Sequence, residues 1–191
     1  MIKSQLRKYY LANRKTISAE EIVIKSQQIT DLFFQNFDLL KVENIHIFLP
    51  IIKHNEINTW LIIRRLQQNF PKITILIPKI IPESFEIENF LLDEKKLVVN
   101  PWGILEPSGE NQEKIEQKEI DLVIIPLLVF DKNGNRVGYG KGFYDRFLQQ
   151  CNPKILKIGV CLEEAIETIE DVDEFDIKMD FCITPDKIYR F

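Results

Sequence analysis

The sequence predicts an α/β protein built on a mostly parallel sheet covered on both faces, and three observations carry that expectation. Short runs such as NIHIFLP and DLVIIP are almost continuously apolar, as strands buried from both sides are. Amphipathic segments of helical period separate them. One succession, a strand at 44–50, a helix at 59–70 and a strand at 72–78, reads as a parallel crossover.

The elements follow in order. Residues 2–11 and 22–37 carry apolar side chains at helical spacing, and the second helix is opened by Ser18 with Glu21 three residues later, a capping-box pattern. Pro50 ends the first strand, Thr59 opens the third helix, and SFEIENF (84–90) alternates like a strand. The polar stretch EPSGENQEKIEQKE (106–119) reads as a solvated surface connection. DLVIIP (121–126) is a buried strand, FYDRFLQQC starts a helix at Phe143, and KILKIGVC (154–161) and DFCIT (180–184) complete the strands. No internal repeat is visible, and 191 residues suit a single domain spanning 1–191.

Composition narrows the function. With 45% hydrophobic and 28% charged residues and a net charge of −4, the chain is an ordinary globular one without the broad basic field that nucleic-acid binding uses. The N-terminal stretch is charged and amphipathic, unlike a signal peptide. No apolar run approaches the roughly 18–20 residues that cross a bilayer, so no membrane partner and a cytoplasmic location are expected. Cys151, Cys161 and Cys182, odd in number and without CxxC spacing, read as buried thiols rather than a disulfide framework or zinc site.

In a parallel sheet, ligands bind beyond the carboxyl ends of the strands, so the loops after Leu49, Ile77 and Ile125 matter. The last of these leads into NGNRVGYGKGFYDRF, with three of the chain's seven glycines at Gly138, Gly140 and Gly142. Its GxGxG spacing is neither the Walker A loop nor the dinucleotide fingerprint. Two readings are open: a glycine-rich hairpin tip turning at Asn133-Gly134, or a loop whose backbone approaches phosphate. Arg136 and Lys141, which can neutralise phosphate oxygens, and Asp145, which can ligand a nucleotide's magnesium ion, favour the second.

Lys3 and Arg7, four apart, share one face of the first helix beside apolar Leu6; the alternative is a solvated basic face. Glu56, in the loop after the first strand, can accept hydrogen bonds from an amino-bearing heterocycle, or can be an ordinary loop glutamate. Asp176 and Asp180 precede the last strand and can supply a further oxygen ligand to a metal held by Asp145, or can be an ordinary solvated acidic loop. His46 reads as structural, and neither it nor His54 has a partner spacing that suggests a dyad or metal site. No serine or cysteine sits in a nucleophile-elbow pattern.

In order along nearly the whole chain, KSQLR, NEINT, PWGILEP, DLVIIPLLVFDKNGNRVGYGKGFYDRFL and FDIKMDFCIT resemble the motifs of the 5-formyltetrahydrofolate cyclo-ligase family. The specific part is Arg136-Val137-Gly138-Tyr139-Gly140-Lys141-Gly142-Phe143-Tyr144-Asp145. The resemblance implies a three-layer α/β/α sandwich and Mg-ATP-driven conversion of 5-formyltetrahydrofolate to 5,10-methenyltetrahydrofolate. It places ATP against Lys3, Ser4, Gln5, Leu6 and Arg7 and against Arg136 to Tyr144, magnesium on Asp145 and Asp176, and folate on Ile51 and Glu56. Arg136 and Lys141 are the implied catalytic cations, Tyr139, Phe143 and Tyr144 offer flat surface to the pterin, and a monomer is expected. Phe175, Ala165 and Phe143 stand where the family commonly has histidine, glutamine and tyrosine. The first two motivate an alternative: a non-catalytic nucleotide- or folate-binding regulatory protein on the same fold.

Overall fold

The computed structural model describes residues 1–81, 83–100, 104–109 and 111–191. Helices α1 (Lys3–Arg14) and α2 (Ala19–Asn36) open the chain. Ser18 accepts a hydrogen bond from the Glu21 amide at 3.1 Å, satisfying one of the donors that the first turn of α2 leaves open. Ile22, Ser26, Ile29, Thr30 and Phe33 form its buried stripe.

There follow β1 (Asn44–Ile47), a 3-10 turn (Ile52–His54), α3 (Trp60–Asn69), β2 (Thr74–Ile81) and β3 (Glu86–Leu91). The middle of the chain holds β4 (Leu97–Val99), β5 (Leu105–Pro107), β6 (Lys114–Ile115), β7 (Leu122–Pro126), β8 (Val129–Phe130) and β9 (Arg136–Val137). Helix α4 (Phe143–Gln150), β10 (Leu156–Val160), β11 (Phe181–Ile183) and β12 (Ile188–Arg190) complete it.

The main sheet has the order β12-β11-β10-β7-β1-β2-β3-β6. Its centre, from β11 to β2, is parallel, and β12, β3 and β6 add antiparallel edges. Alternate residues of each central strand serve opposite faces, as the two-residue period of a strand requires. Ile45, Ile75, Ile77, Leu122 and Ile124 pack with α2 and α3, while Leu76, Val123 and Ile125 pack with Phe147 and Leu148 of α4. That is the expected three-layer arrangement. Leu6 of α1 joins a small separate cluster with Val129, Val137 and Ile169, so α1 rides on the β8–β9 hairpin.

Several sequence expectations need correction. Residues 106–119 are not merely a solvated connection: they contribute part of β5, the edge strand β6 and a 3-10 turn (Gln117–Glu119). Thr59 precedes α3, yet its side chain does not cap it. Its hydroxyl donates instead to the Phe48 carbonyl at 2.6 Å, tying the end of β1 to the helix start in a buried setting. The three cysteines are free and buried, as expected.

Candidate active site

The neighbours β1 and β7 form the switch point of the sheet. From β1 the chain crosses to β2 on one side, and from β7 it continues to β10 on the other. Their carboxyl ends therefore diverge and leave a crevice, the place where open α/β sheets hold ligands. A cavity of about 350 Å³ lies there. Phe48, Leu49, Ile51 and Pro126 from those strand ends, with Pro78, Ile80 and Ile87 from β2 and β3, give one apolar side. Lys3, Arg7, Arg136 and the run from Val137 to Asp145, with Asp176, give a charged side.

The glycine loop divides into two parts. Its first part is a hairpin turn around Asn133-Gly134, pinned by Asp131. That fully buried carboxylate accepts from the amides of Asn133 at 2.9 Å, Asn135 at 3.0 Å and Ile169 at 3.1 Å. Its second part lines the cavity. Gly140 has φ +88°, and a Cβ there would stand 2.6 Å from the Arg7 guanidinium carbon. Arg7 thus lies directly over the loop and donates from Nε to the Gly138 carbonyl at 3.0 Å. Gly138 is different: a Cβ would meet nothing within 4 Å, and its φ is not left-handed. Nothing in the protein requires glycine at 138. Gly138 lines the cavity.

The cations are arranged unequally. Arg136 is almost buried, with Nη2 2.6 Å from Asp145 and Nη1 donating to the Ile177 carbonyl. Lys3 pairs with Asp176, and also reaches Asp173 at 3.5 Å. These carboxylates raise the Lys3 pKa against the opposing effect of its desolvation. Lys141 is exposed at the cavity edge and forms no ion pair among the described residues. Each site carboxylate is also held by backbone: Asp145 accepts from the Ile177 amide at 3.2 Å and Asp176 from the Asp173 amide at 2.8 Å.

Asp145 and Asp176 thus share one wall, and two carboxylates plus phosphate oxygens are the donor set a magnesium ion prefers. Asp180 is not with them. It accepts from the Lys157 amide at 2.8 Å and pairs with the Lys157 ammonium at 2.9 Å. Among the described residues no group of three or more His, Cys, Asp or Glu side chains forms an all-protein metal site.

Across the cavity, Glu56 is buried. It accepts from the Ile51 amide at 2.7 Å and from the Tyr139 hydroxyl. Burial pushes its pKa up, and the two hydrogen bonds and nearby Arg14 pull against that. Sequence reasoning missed Arg14, which is buried and donates to the Leu127 carbonyl at 2.6 Å. It stands in the last turn of α1, where a basic side chain ordinarily faces solvent beside the helix carboxyl end, so no local pattern marks it. Also unforeseen is Arg146, which donates to the Phe85 carbonyl at 3.0 Å and the Lys141 carbonyl at 2.6 Å. It thereby ties the glycine loop to the β2–β3 connection.

Of the sequence candidates, Lys3, Arg7, Ile51, Glu56, Arg136 to Tyr144, Asp145 and Asp176 all line the one cavity. Ser4, Gln5 and Leu6 do not. Ser4 and Gln5 are exposed, Gln5 accepts from the Ile2 amide at 3.3 Å, and Leu6 is core. A helix turns residues between positions 3 and 7 away from the face those two share. Phe175 is 66% exposed and Ala165 packs in the core; neither lines the cavity. In PWGILEP, residues 101–103 lie outside the described residues, while Ile104, Leu105 and Glu106 line the cavity.

Comparison with known proteins converges on one group. Residues 1–185 match the model of the 5-formyltetrahydrofolate cyclo-ligase family. A probable 5-formyltetrahydrofolate cyclo-ligase of Schizosaccharomyces pombe is 33% identical over 61% of this chain and 63% of its own length. The 5-formyltetrahydrofolate cyclo-ligase of Mus musculus is 30% identical over 90% of this chain and 88% of its own. The solved Aquifex aeolicus 5,10-methenyltetrahydrofolate synthetase superposes with a TM-score of 0.82 at 28% identity, covering 100% of this chain and 93% of that one.

Proposed function

Because the chain belongs to the 5-formyltetrahydrofolate cyclo-ligase family, we propose that it converts 5-formyltetrahydrofolate to 5,10-methenyltetrahydrofolate. ATP is consumed and ADP and phosphate are released. The observation that carries this reading is the division of one cavity into an apolar side with a buried acceptor, Glu56, and a cationic side built on a glycine loop. A flat heterocycle and a polyphosphate are the ligands that such halves suit, and the shared space brings them into contact.

The uncatalysed obstacle is the formamide oxygen, a poor leaving group. In the proposed route this oxygen attacks the γ-phosphorus of ATP, an O–P bond forms, and the bond to ADP breaks. The neighbouring folate nitrogen then closes on the formyl carbon and gives up its proton to solvent, the C–O bond breaks, and phosphate leaves. The protein aligns the two reactants and stabilises the charge that spreads over the transferring group. Lys141, unpaired and at the rim, is free to follow that charge, and Arg136 is held behind it by Asp145 and Ile177. A magnesium ion on Asp145 and Asp176 would neutralise phosphate oxygens. Tyr139 and Phe143 present ring surface to the pterin, and Glu56 accepts from its N–H groups.

One domain and one chain suffice for this chemistry, which leads us to a monomer acting in the cytoplasm. Neither Phe175 nor Ala165 touches the cavity, so the non-catalytic alternative gains no support from those departures. The test is direct. Purified protein given 5-formyltetrahydrofolate and Mg-ATP should generate methenyl product, seen as rising near-ultraviolet absorbance, with one phosphate released per product. Binding of both ligands without product would overturn the proposal.

A further inference from the structure

Behind the cavity wall lies a polar chain that the reaction above does not use. His46, in β1, is fully shielded from solvent and packs against the rings of Tyr144 and Phe147. Its Nδ1 is 2.7 Å from Asn89 Oδ1, and its Nε2 is 3.1 Å from the Tyr144 hydroxyl. Asn89 is equally buried, and its amide nitrogen points at the Ile115 carbonyl at 3.5 Å.

These contacts fix the direction of every proton. The Asn89 amide nitrogen faces the Ile115 carbonyl, an acceptor, so its oxygen faces His46. Facing that oxygen, His46 Nδ1 must carry hydrogen. A neutral imidazole then has a bare lone pair on Nε2, because one ring nitrogen donates while the other accepts. Tyr144 must therefore donate inward to His46. Burial supports the two protonation states, holding the imidazole neutral with a pKa of about 4 and pushing the phenol pKa upward.

We infer that His46, oriented by Asn89, is a positioning residue that locks Tyr144 in the cavity wall as a hydrogen-bond acceptor only. Any hydrogen bond a ligand makes to the Tyr144 oxygen must be donated by the ligand. Phosphate oxygens cannot do this, whereas ring N–H and amino groups can. Tyr144 accordingly belongs to the heterocycle side of the site, despite its place in the glycine-loop motif. The strand that carries His46, β1, also leads into Ile51 and Glu56, so one rigid element sets the heterocycle contacts.

What fills the cavity rests on the cyclo-ligase reading; the tautomer does not. Nitrogen-15 NMR of histidine-labelled protein at neutral pH should show His46 as the Nδ1–H tautomer, and an Nε2–H tautomer overturns the inference. In kinetics, His46→Leu should raise the KM for the folate about tenfold, the scale of one lost buried hydrogen bond, with the KM for ATP nearly unchanged. His46→Gln, which can accept from Tyr144 and donate to Asn89, should recover most of that loss. The double variant with Tyr144→Phe should be no worse than the more damaging single. A merely structural role would raise both KM values together and give penalties that multiply, and either result overturns the positioning role. Should wild-type protein make no methenyl product, the functional reading fails by itself. The tautomer and the folate dissociation constants of the same variants then decide the role of His46.

Discussion

Replacing Gly138 by alanine separates the two purposes a glycine can serve. The added methyl would meet no protein atom within 4 Å, and the backbone at 138 is not in the left-handed region. Folding should not suffer; reduced freedom of the unfolded chain should even stabilise by about 0.4–1 kcal/mol. The same methyl enters open space at a residue that lines the cavity, where in the proposed complex phosphate oxygens would lie against backbone N–H groups. Displacing them by even part of a methyl radius removes two or so charge-assisted hydrogen bonds of roughly 1.5 kcal/mol each, a rise of about a hundredfold in the KM for ATP. Gly140→Ala is the control. Its Cβ would stand 2.6 Å from the Arg7 guanidinium carbon at φ +88°, so it should lower stability by about 1–2 kcal/mol as well as activity. Thermal melts and ATP saturation curves on both variants decide the matter. A Gly138→Ala protein with wild-type ATP kinetics would refute the assignment of that space to phosphate. A Gly138→Ala protein that melts well below wild type would refute the reading of its surroundings.

Lys141→Ala removes an exposed cation that forms no ion pair among the described residues, so it should leave the melting temperature unchanged while lowering kcat by ~10²-fold, the scale for one lost transition-state donor. Wild-type turnover would return the lysine to the status of a solvated loop charge. Asp145→Asn should weaken magnesium dependence and cost about 1–3 kcal/mol of stability in urea titration, because Arg136 is almost buried and loses its counter-charge. Unchanged magnesium dependence would remove Asp145 from the metal site. For His46, the folded pKa of about 4 lies below the ordinary 6.5, so its stabilising contribution is present above pH 6.5 and fades as pH falls toward 4. Wild type should lose roughly 3 kcal/mol relative to His46→Gln across that window. Glu56 has the opposite sign. Burial raises its pKa above 4.5, so stability from this group is present below that value and lost as pH rises through the shifted one. Relative to Glu56→Gln, wild type should therefore weaken from pH 4.5 upward, and a difference that stays flat with pH would contradict the cause assigned.

The parts of the fold that were legible in sequence are those long enough to show a period. β1, β7 and β10 announced themselves as apolar runs, and α2 through its Ser18 cap and its stripe from Ile22 to Phe33. β6, β8 and β9 have two residues each and carry no period, so only their pairing partners define them. The same distinction divides the site. Residues 136–145 were readable because one loop carries them in order, and Lys3 and Arg7 because a helix sets their spacing. The contacts of Lys3 with Asp176 and of Tyr139 with Glu56 join stretches far apart in the chain, and no local pattern records such contacts. Those contacts change how the loop works. Lys3 and Arg136 hold Asp176 and Asp145, and Tyr139 holds Glu56. Under the proposed reaction, nucleotide binding would be an exchange of partners: phosphate would take the cations while magnesium took the carboxylates they release. The Tyr139–Glu56 bond also ties the glycine loop to the loop after β1 across the cavity, so in the proposed reaction each substrate would meet a surface whose position the other helps to set.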